Sequence, residues 1–401
     1  MKKYLSLLSA LLIVLITLQP VKATSELITL HSEYAYLFDP ISNIEYINKN
    51  ADEKMYPASM TKILTVSVSL EKIENLDDKV VVLKKDFDDL LGTGATVAQL
   101  NPGEKVTYRD LLYGALLPSG ADACNVLART LFGSYQGMVD AMNEHIKKLN
   151  LTQTHFVNVT GLHDENHYTT AKEMAYLLKD ALKNKDFVTI FNARSYQDSL
   201  KKRTWYSILS RAQTQKNLDV SSIDGAKSGY TDEAQLTLAS TMTIDNQQLI
   251  FVTAKANDKK TQNNVLDALN VYQYMSQNYH RVIIYKKDET IQHYWILKSL
   301  NGIYSLKSME EFSLLVDKDI NKDNIDTKYN GDVILSSPLK QGETLGSVKI
   351  THKDTLLCEY QVSMDKSMNT DTIAIILHYV LLILIPLVII LKIIKKIKSK
   401  H

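Results

Sequence analysis

A stretch of twenty uncharged residues near the C-terminus constrains this chain more than any other feature of its sequence. Residues 372–391 carry no charge and are interrupted only by His378 and Pro386. As a helix rising about 1.5 Å per residue, they would cross a hydrocarbon core of about 30 Å. Five lysines follow at once, which predicts a transmembrane helix with a basic cytoplasmic tail at 392–401. A helix lying in the membrane interface is the alternative, but the stretch lacks the polar face that this requires.

The N-terminus has the form of a secretory signal over residues 1–23. Lys2 and Lys3 precede an apolar run, and Val21-Lys22-Ala23 forms a small-residue cleavage site. The apolar run has about 14 residues, short for a span of about 20, so an uncleaved anchor is the less favoured alternative. The two ends predict a single-pass protein of the cell membrane, with an extracellular body and a cytoplasmic C-terminal tail.

Charge and cysteine content exclude several classes of protein. Once the eight lysines of the two ends are set aside, 38 basic residues remain against 45 acidic ones, so the body is acidic and nucleic acid is not a partner. Cys124 and Cys358 are too few for a disulfide framework. His163 and His167 lie four apart in a turn-rich segment, which favours a loop over a metal site. No metal and no cofactor are implied.

Hydrophobic periodicity predicts an α+β chain. Residues 28–50 and 236–256 have the pattern of strand pairs, the latter turning at Asp245-Asn246. A buried helix is predicted to begin near Pro57, and further helices at 109–117, 122–132, 136–149 and 171–183. Together they indicate one antiparallel sheet carrying a helical cluster, in a domain spanning 24–275. Short strand-like segments then predict a small β-rich domain at 276–367.

Ser59 and Lys62 form an S-x-x-K tetrad whose surroundings suit chemistry. The same spacing recurs at Ser69, Ser199, Ser337 and Ser363, so spacing alone carries little information. Only Ser59 follows Tyr56-Pro57-Ala58, and proline favours the first turn of a helix. A lysine three residues further on would lie within reach of the serine hydroxyl, and burial would help it lose its proton. A helix cap beside a solvated lysine is the structural alternative.

At this point the sequence resembles the low-molecular-mass penicillin-binding proteins, the serine-type D-Ala-D-Ala carboxypeptidases. YPASMTKILT matches their first signature, LPSGADA at 117–123 the second, and DGAKSGYT at 224–231 the third. GLHDENHYTTAKEMA resembles a family stretch that follows the second signature. The likeness covers about residues 28–260 and implies a penicillin-binding/β-lactamase-like transpeptidase domain. It continues more weakly into the β-rich domain, for which it implies a stalk or a partner-binding role.

The resemblance also implies roles for individual residues. Ser59 would attack the carbonyl between two terminal D-alanines of a peptidoglycan stem peptide, and Lys62 would take its proton. Ser119 would relay a proton to the leaving amine. Lys227 and Ser228 would hold the substrate carboxylate.

Further roles follow for the strand that carries the third signature. Gly229 would leave room for substrate along the strand edge. The backbone N–H groups of Ser59 and Tyr230 would form the oxyanion hole. β-Lactam antibiotics would acylate Ser59 in the same way, and Lys227 would also hold down the pKa of Lys62.

One residue departs from the family pattern. Ala121 stands where the second signature usually has Asn, a loss that would cost on the order of 10²–10³ in rate if nothing compensated. Asp122 or Asn125 are the candidates to fill part of the gap. Ser228 in place of the commoner Thr keeps the hydroxyl. A catalytically weak, peptidoglycan-binding homologue is therefore the first alternative.

The second alternative is a β-lactamase, which shares all three signatures. It would need a base for deacylation, for which Glu165 and Glu173 fall in the plausible region without a recognisable pattern. A membrane-anchored carboxypeptidase accounts better for the β-rich domain and the C-terminal span.

Overall fold

The structure is a computed structural model that describes residues 28–300 and 302–398. The predicted leader at 1–23 and the last residues of the predicted tail lie outside this range. The described chain divides into two compact units, with the boundary between Arg281 and Val282.

The larger unit combines strands with a cluster of helices. Its strands are β1 (Ser32–Phe38), β2 (Glu45–Lys49), β3 (Lys79–Val81), β4 (Lys105–Thr107), β5 (Ser195–Gln197), β6 (Thr204–Tyr206), β7 (Gly225–Thr231), β8 (Gln235–Ile244) and β9 (Gln247–Ala256). Its helices are α1 (Lys62–Leu70), α2 (Tyr108–Leu116), α3 (Ala121–Phe132), α4 (Tyr135–Lys148), α5 (Ala171–Ala181), α6 (Lys185–Phe191), α7 (Ile208–Lys216) and α8 (Asn263–Asn278).

Five of these strands form the antiparallel sheet that the sequence predicts, in the order β2-β1-β9-β8-β7. The hairpin between β8 and β9 turns at Asp245 and Asn246, which both have positive φ, as a tight two-residue hairpin turn requires. The N-terminal pair enters the sheet beside β9, so the first and last strands of the unit are neighbours. Strand β7 is left at one edge.

Alternate residues of β9 face two different layers. Ile250, Val252 and Ala254 belong to the core that the helical cluster fills, whereas Phe251 packs against Tyr272 of α8. Successive side chains of a strand point to opposite faces, so the sheet is covered on both sides.

Helix α1 runs through the centre of the helical cluster and packs against α2, α3, α4 and α5. Every residue of α1 is buried, including Lys62 at its first position. The sequence predicts this, because the segment is apolar on nearly all sides. A 3₁₀ turn, Ala58–Thr61, leads into the helix and carries Ser59.

Among the residues that the structure describes, the smaller unit is all β apart from a terminal helix and a short 3₁₀ turn. Its strands are β10 (Tyr279–Tyr285), β11 (Thr290–Leu297), β12 (Ile303–Lys307), β13 (Phe312–Asp317), β14 (Asp326–Gly331), β15 (Ile334–Ser336), β16 (Thr344–His352) and β17 (Thr355–Ser363). They form small sheets in the orders β10-β13, β12-β11-β15 and β14-β16-β17.

Helix α9 (Thr372–Lys398) follows the smaller unit's strands and contains Pro386. Its segment Thr372–Lys395 has a mean hydropathy of 3.0 and is almost wholly exposed. It is long and apolar enough to cross a membrane.

Candidate active site

The 3₁₀ turn before α1 presents Ser59 next to a strained backbone position. Ala58 has a φ of +46°, in the left-handed region that residues with a side chain rarely adopt. Such strain persists only where the surroundings enforce it, and it is common at reactive positions.

Two glycines enclose this turn closely. A Cβ on Gly161 would lie 1.9 Å from the carbonyl oxygen of Ala58, and a Cβ on Gly229 would lie 2.6 Å from the backbone nitrogen of Ser59. Gly161 also has a φ of +82°. Any side chain at either position would displace the turn that carries the serine, so glycine is required at both.

The Lys62 ammonium lies in a polar pocket made by one side chain and one backbone carbonyl. Its Nζ is 3.0 Å from Ser59 Oγ and 2.5 Å from the carbonyl oxygen of Thr160. Only 2% of Lys62 is exposed. Burial lowers the pKa of Lys62, while the nearby Cys124 and Asp122 act in the opposite direction. A lysine held in this way gives up its proton more easily than one in water.

A second serine–lysine pair joins the loop between α2 and α3 to strand β7. Lys227 Nζ donates to Ser119 Oγ at 3.0 Å and to the carbonyl oxygen of Ser228 at 2.6 Å. Ser119 has a φ of +68° in its loop. Burial lowers the pKa of Lys227 well below its usual value, and the positive charges of Lys62 and Arg211 add to the effect. The two lysines therefore lie close enough to repel each other.

A cavity of about 440 Å³ opens over the first pair. Of the predicted site residues, Ser59, Lys62 and Tyr230 line it. Its remaining lining comes from five segments and includes acidic and basic side chains: Thr93–Thr96, Ala121, Thr160–His163, Thr231–Glu233 and Lys259. Tyr230 donates its hydroxyl to Asp232 at 2.7 Å, and the Lys259 ammonium lies over its ring.

Ala121 is the first residue of α3 and lines the cavity. Neither neighbour named as a substitute for the missing Asn points toward Lys62. Asn125 donates to the carbonyl oxygen of Asp86 and to Asp89, and Asp122 accepts from the backbone N–H groups of Ala98 and Leu100. Lys62 instead donates to the carbonyl of Thr160, in addition to its contact with Ser59.

His163 and His167 diverge in the structure. The His163 ring lines the cavity, edge-on to Tyr56, whereas His167 is buried behind the turn. Val157 N–H donates to His167 Nδ1, so Nε2 carries the proton and donates to Thr61 Oγ1 at 2.7 Å. Burial lowers the pKa of His167 to about 3. It acts as a neutral support for the turn that carries Ser59.

Comparison with known proteins identifies the family of this chain. Residues 20–258 match the D-alanyl-D-alanine carboxypeptidase family. The chain belongs to this family. D-alanyl-D-alanine carboxypeptidase DacF of Bacillus subtilis is 29% identical over 87% of this chain and 88% of its own length. DacC of Escherichia coli is 30% identical over 78% of each protein. This family member is therefore a serine peptidase.

Solved structures give the same fold. Penicillin-binding protein 5 of Haemophilus influenzae superposes with a TM-score of 0.74 at 20% identity, covering 86% of this chain and 98% of that one. The Streptomyces K15 DD-transpeptidase gives 0.56 at 27% identity, covering 62% of this chain and 97% of that one. The predicted family and fold class are confirmed, including the additional β-rich region of this carboxypeptidase.

The geometry also shows what the sequence does not reveal in this family member. The lysines of the other four S-x-x-K tetrads are all exposed, so only the first tetrad has a buried amino group. The Thr160 carbonyl and the Arg211 guanidinium were missed. A backbone carbonyl leaves no signature in the side-chain pattern, and Arg211 lies outside all three signatures.

Proposed function

We propose that this carboxypeptidase removes the terminal D-alanine from peptidoglycan stem pentapeptides through an acyl-enzyme on Ser59. The observation that carries the proposal is a set of two serine–lysine contacts, each 3.0 Å long and each made by a buried lysine, the first of which lines the cavity. Burial lowers the pKa of both lysines, and the charges of Lys62 and Arg211 lower that of Lys227 further, which is the direction that a general base needs.

In the first step Ser59 Oγ attacks the carbonyl between the two D-alanines, and Lys62 Nζ takes the serine proton. The bond to the terminal D-alanine then breaks, and Ser119 relays to the leaving amine the proton that Lys62 took, so that Lys62 is neutral again and Ser119 keeps its hydroxyl. The Ser59–Lys62 distance suits this transfer, since a general base must lie within hydrogen-bond reach of the proton it removes. Water then hydrolyses the ester and releases the shortened peptide.

Substrate would bind along strand β7, whose outer edge has no neighbouring strand in the sheet. An extended peptide can add to such an edge through backbone hydrogen bonds. Lys227 and Ser228 would receive the terminal carboxylate, which would favour the charged form of Lys227 on binding. The backbone N–H groups of Ser59 and Tyr230 would form the oxyanion hole, and the proposal is supported by the small space between Gly229 and Ser59 N, into which no Cβ fits. β-Lactams would acylate Ser59 by the same route.

Ala121 favours one alternative, a catalytically weak homologue that binds peptidoglycan. Against it stands the Thr160 carbonyl, which holds Lys62 Nζ where a side-chain amide would otherwise orient it. We propose that this carbonyl supplies the positioning of Lys62 and leaves only the contact with the substrate amide unreplaced.

The β-lactamase alternative receives less support. Glu173 accepts from Gln153 N and Thr154 Oγ1 and lines a different cavity, and Glu165 accepts from Lys54 through its backbone. Neither carboxylate lines the cavity over Ser59.

We further propose that α9 anchors this enzyme in the cell membrane as a single span, with the catalytic unit outside the cell and the lysine-rich end in the cytoplasm. The support is the length and hydropathy of Thr372–Lys395 and the lysines at its end.

Release of D-alanine from a synthetic stem pentapeptide tests the chemistry. The full chain should release D-alanine, and Ser59→Ala should not. Ser69→Ala is the matched control, since Ser69 also begins an S-x-x-K tetrad, on the same helix as Lys62. Its buried hydroxyl only donates to the carbonyl of Thr65. Release by Ser59→Ala at the wild-type rate would refute the proposal.

A further inference from the structure

One face of the three-stranded sheet β12-β11-β15 exposes an apolar patch, made of Trp295, Leu297, Ile303 and Ile334. Trp295 is directly opposite Ile303 on one neighbouring strand and Ile334 on the other. Cross-strand partners share a face, so these side chains are contiguous. Trp295 is 60% exposed.

The patch is not needed for the core of the smaller unit. The opposite face of the same strands carries the buried side chains Tyr294, Ile296, Tyr304 and Leu306. A sheet with one face in a core normally has polar residues on the other. On this face the polar residues include His293 and Ser305, which hydrogen-bond across the strands at the far end, and Ser336, which lies opposite Leu297. Exposed apolar surface of this kind marks an interaction site.

The apolar end of the sheet is joined to the start of α9. Strand β11 ends at Leu297, and the loop that follows bonds to Asp371, the residue immediately before α9. Asp371 N–H donates to the carbonyl of Lys298 at 3.0 Å, and Leu300 N–H donates to the Asp371 carboxylate at 2.8 Å. Leu300 itself is exposed at the tip of this loop. The loop therefore lies where the apolar helix begins.

We infer that the apolar patch and Leu300 insert into the interfacial region of the lipid bilayer that α9 enters. The inference rests on the proposed insertion of α9 and is independent of the chemistry at Ser59. Tryptophan prefers the boundary between lipid headgroups and hydrocarbon, where its ring is half apolar and half polar. Along β11 the polarity follows the expected depth, because Trp295 and Leu297 lie toward the helix start and His293 lies away from it.

The membrane is a better occupant of this surface than a second protein. A residue bonded to the first turn of a transmembrane helix is held within a few ångströms of the bilayer surface whatever else the chain binds. A protein partner would have to compete with lipid for the patch. Docking would give the smaller unit a second contact with the membrane, in addition to α9.

Lipid quenching of tryptophan tests the inference directly, since the chain has two tryptophans. Trp205 belongs to the larger unit and is 5% exposed, so it is an internal reference. The full chain is placed in nanodiscs of phosphatidylglycerol and phosphatidylcholine, the latter either plain or brominated near the headgroup end of its acyl chains. The emission of Trp295 is obtained as the difference between the fluorescence of the wild type and that of Trp295→Phe. The Trp205→Phe variant measures it directly, because Trp295 is then the one tryptophan in its sequence.

We expect brominated lipid to remove roughly half or more of the Trp295 emission, as for an indole at the interface, and to leave Trp205 unchanged. Ile303→Asp should reduce this quenching by placing a carboxylate beside the indole. Leu91→Asp, at an exposed apolar position in the larger unit, is the matched control and should not.

Equal quenching of Trp295 and Trp205 in chains that co-purify with nanodiscs would overturn the docking and leave the anchor intact. Failure to co-purify would overturn both. A Trp295 signal that is shielded from bromine but blue-shifted, with cross-linked dimers, would assign the patch to a second copy and refute the membrane assignment.

Discussion

His167 gives the most quantitative prediction about the turn that carries Ser59. Its Nδ1 accepts from Val157 N–H. Its Nε2–H donates to Thr61 Oγ1, which in turn donates to the carbonyl of Ala58. Protonation of the ring would put a hydrogen on Nδ1 that faces the N–H of Val157, so that two donors would meet. It would also bury a positive charge beside Phe156. The folded protein should therefore exclude that proton.

The size of the effect follows from the two pKa values of His167, about 3 in the folded protein and 6.5 in the unfolded chain. Between these values the unfolded chain binds a proton that the folded protein does not, so stability falls as pH falls. Each pH unit in that window is worth about 1.4 kcal/mol. Lowering the pH from 7.5 to 5 should therefore cost about 2 kcal/mol through His167 alone.

Urea unfolding in detergent micelles at a series of pH values measures this cost. In a Trp295→Phe background, Trp205 is the only tryptophan and reports on the larger unit. His167→Gln keeps a donor for Thr61 but cannot titrate. Because every other ionisable group is common to both proteins, the difference between their pH dependences isolates His167. The variant should lose about 2 kcal/mol less than its parent between pH 7.5 and 5.

Parallel stability curves for the two proteins would refute this account of His167. They would mean that the ring takes up its proton in the folded state as it does in the unfolded chain, and the assignment of Nδ1 as the acceptor of Val157 N–H would then be wrong.

Three further predictions concern the site. Gly161→Ala should abolish penicillin acylation by displacing Ala58, whereas Gly103→Ala, which has a φ of +88° but open space around it, should only lose about 1–2 kcal/mol of stability by urea unfolding. The rate of acylation of the wild type should rise with pH, with a midpoint below 10.5, the ordinary pKa of lysine. Lys62→Arg should lower the stopped-flow acylation rate about 10²–10⁴-fold, because arginine stays protonated. Ala121→Asn should raise the acylation rate less than about tenfold if Thr160 already positions Lys62, whereas a gain of 10²–10³ would contradict that compensation.

The sequence predicted the elements of the larger unit where local patterning is strong. The hairpin at Asp245-Asn246 and the buried helix α1 follow from alternation and from an apolar surface on all sides. The placement of β1 beside β9 depends on contacts between segments about 200 residues apart, a separation that no local pattern records. Helix α8 was missed although its buried residues recur at helical spacing, because Asn and Gln dilute the apolar signal.

At the site, the sequence indicated which side chains take part but not the backbone conformation that positions them. Ser59, Lys62, Ser119 and Lys227 stand out through three ordered signatures, and the structure brings them into two pairs. The left-handed Ala58 and the Thr160 carbonyl are properties of backbone conformation. They appear only once the chain is folded, since φ and carbonyl direction are set by tertiary packing.

Intact mass spectrometry of the full chain with excess penicillin tests the central claim most directly. We predict a single covalent adduct that persists for many minutes on wild type and on Ser69→Ala, and none on Ser59→Ala. An adduct that vanishes within seconds while penicillin is consumed would indicate a β-lactamase. The absence of any adduct on the wild type, or an adduct that survives in Ser59→Ala, would contradict the acyl-enzyme on Ser59.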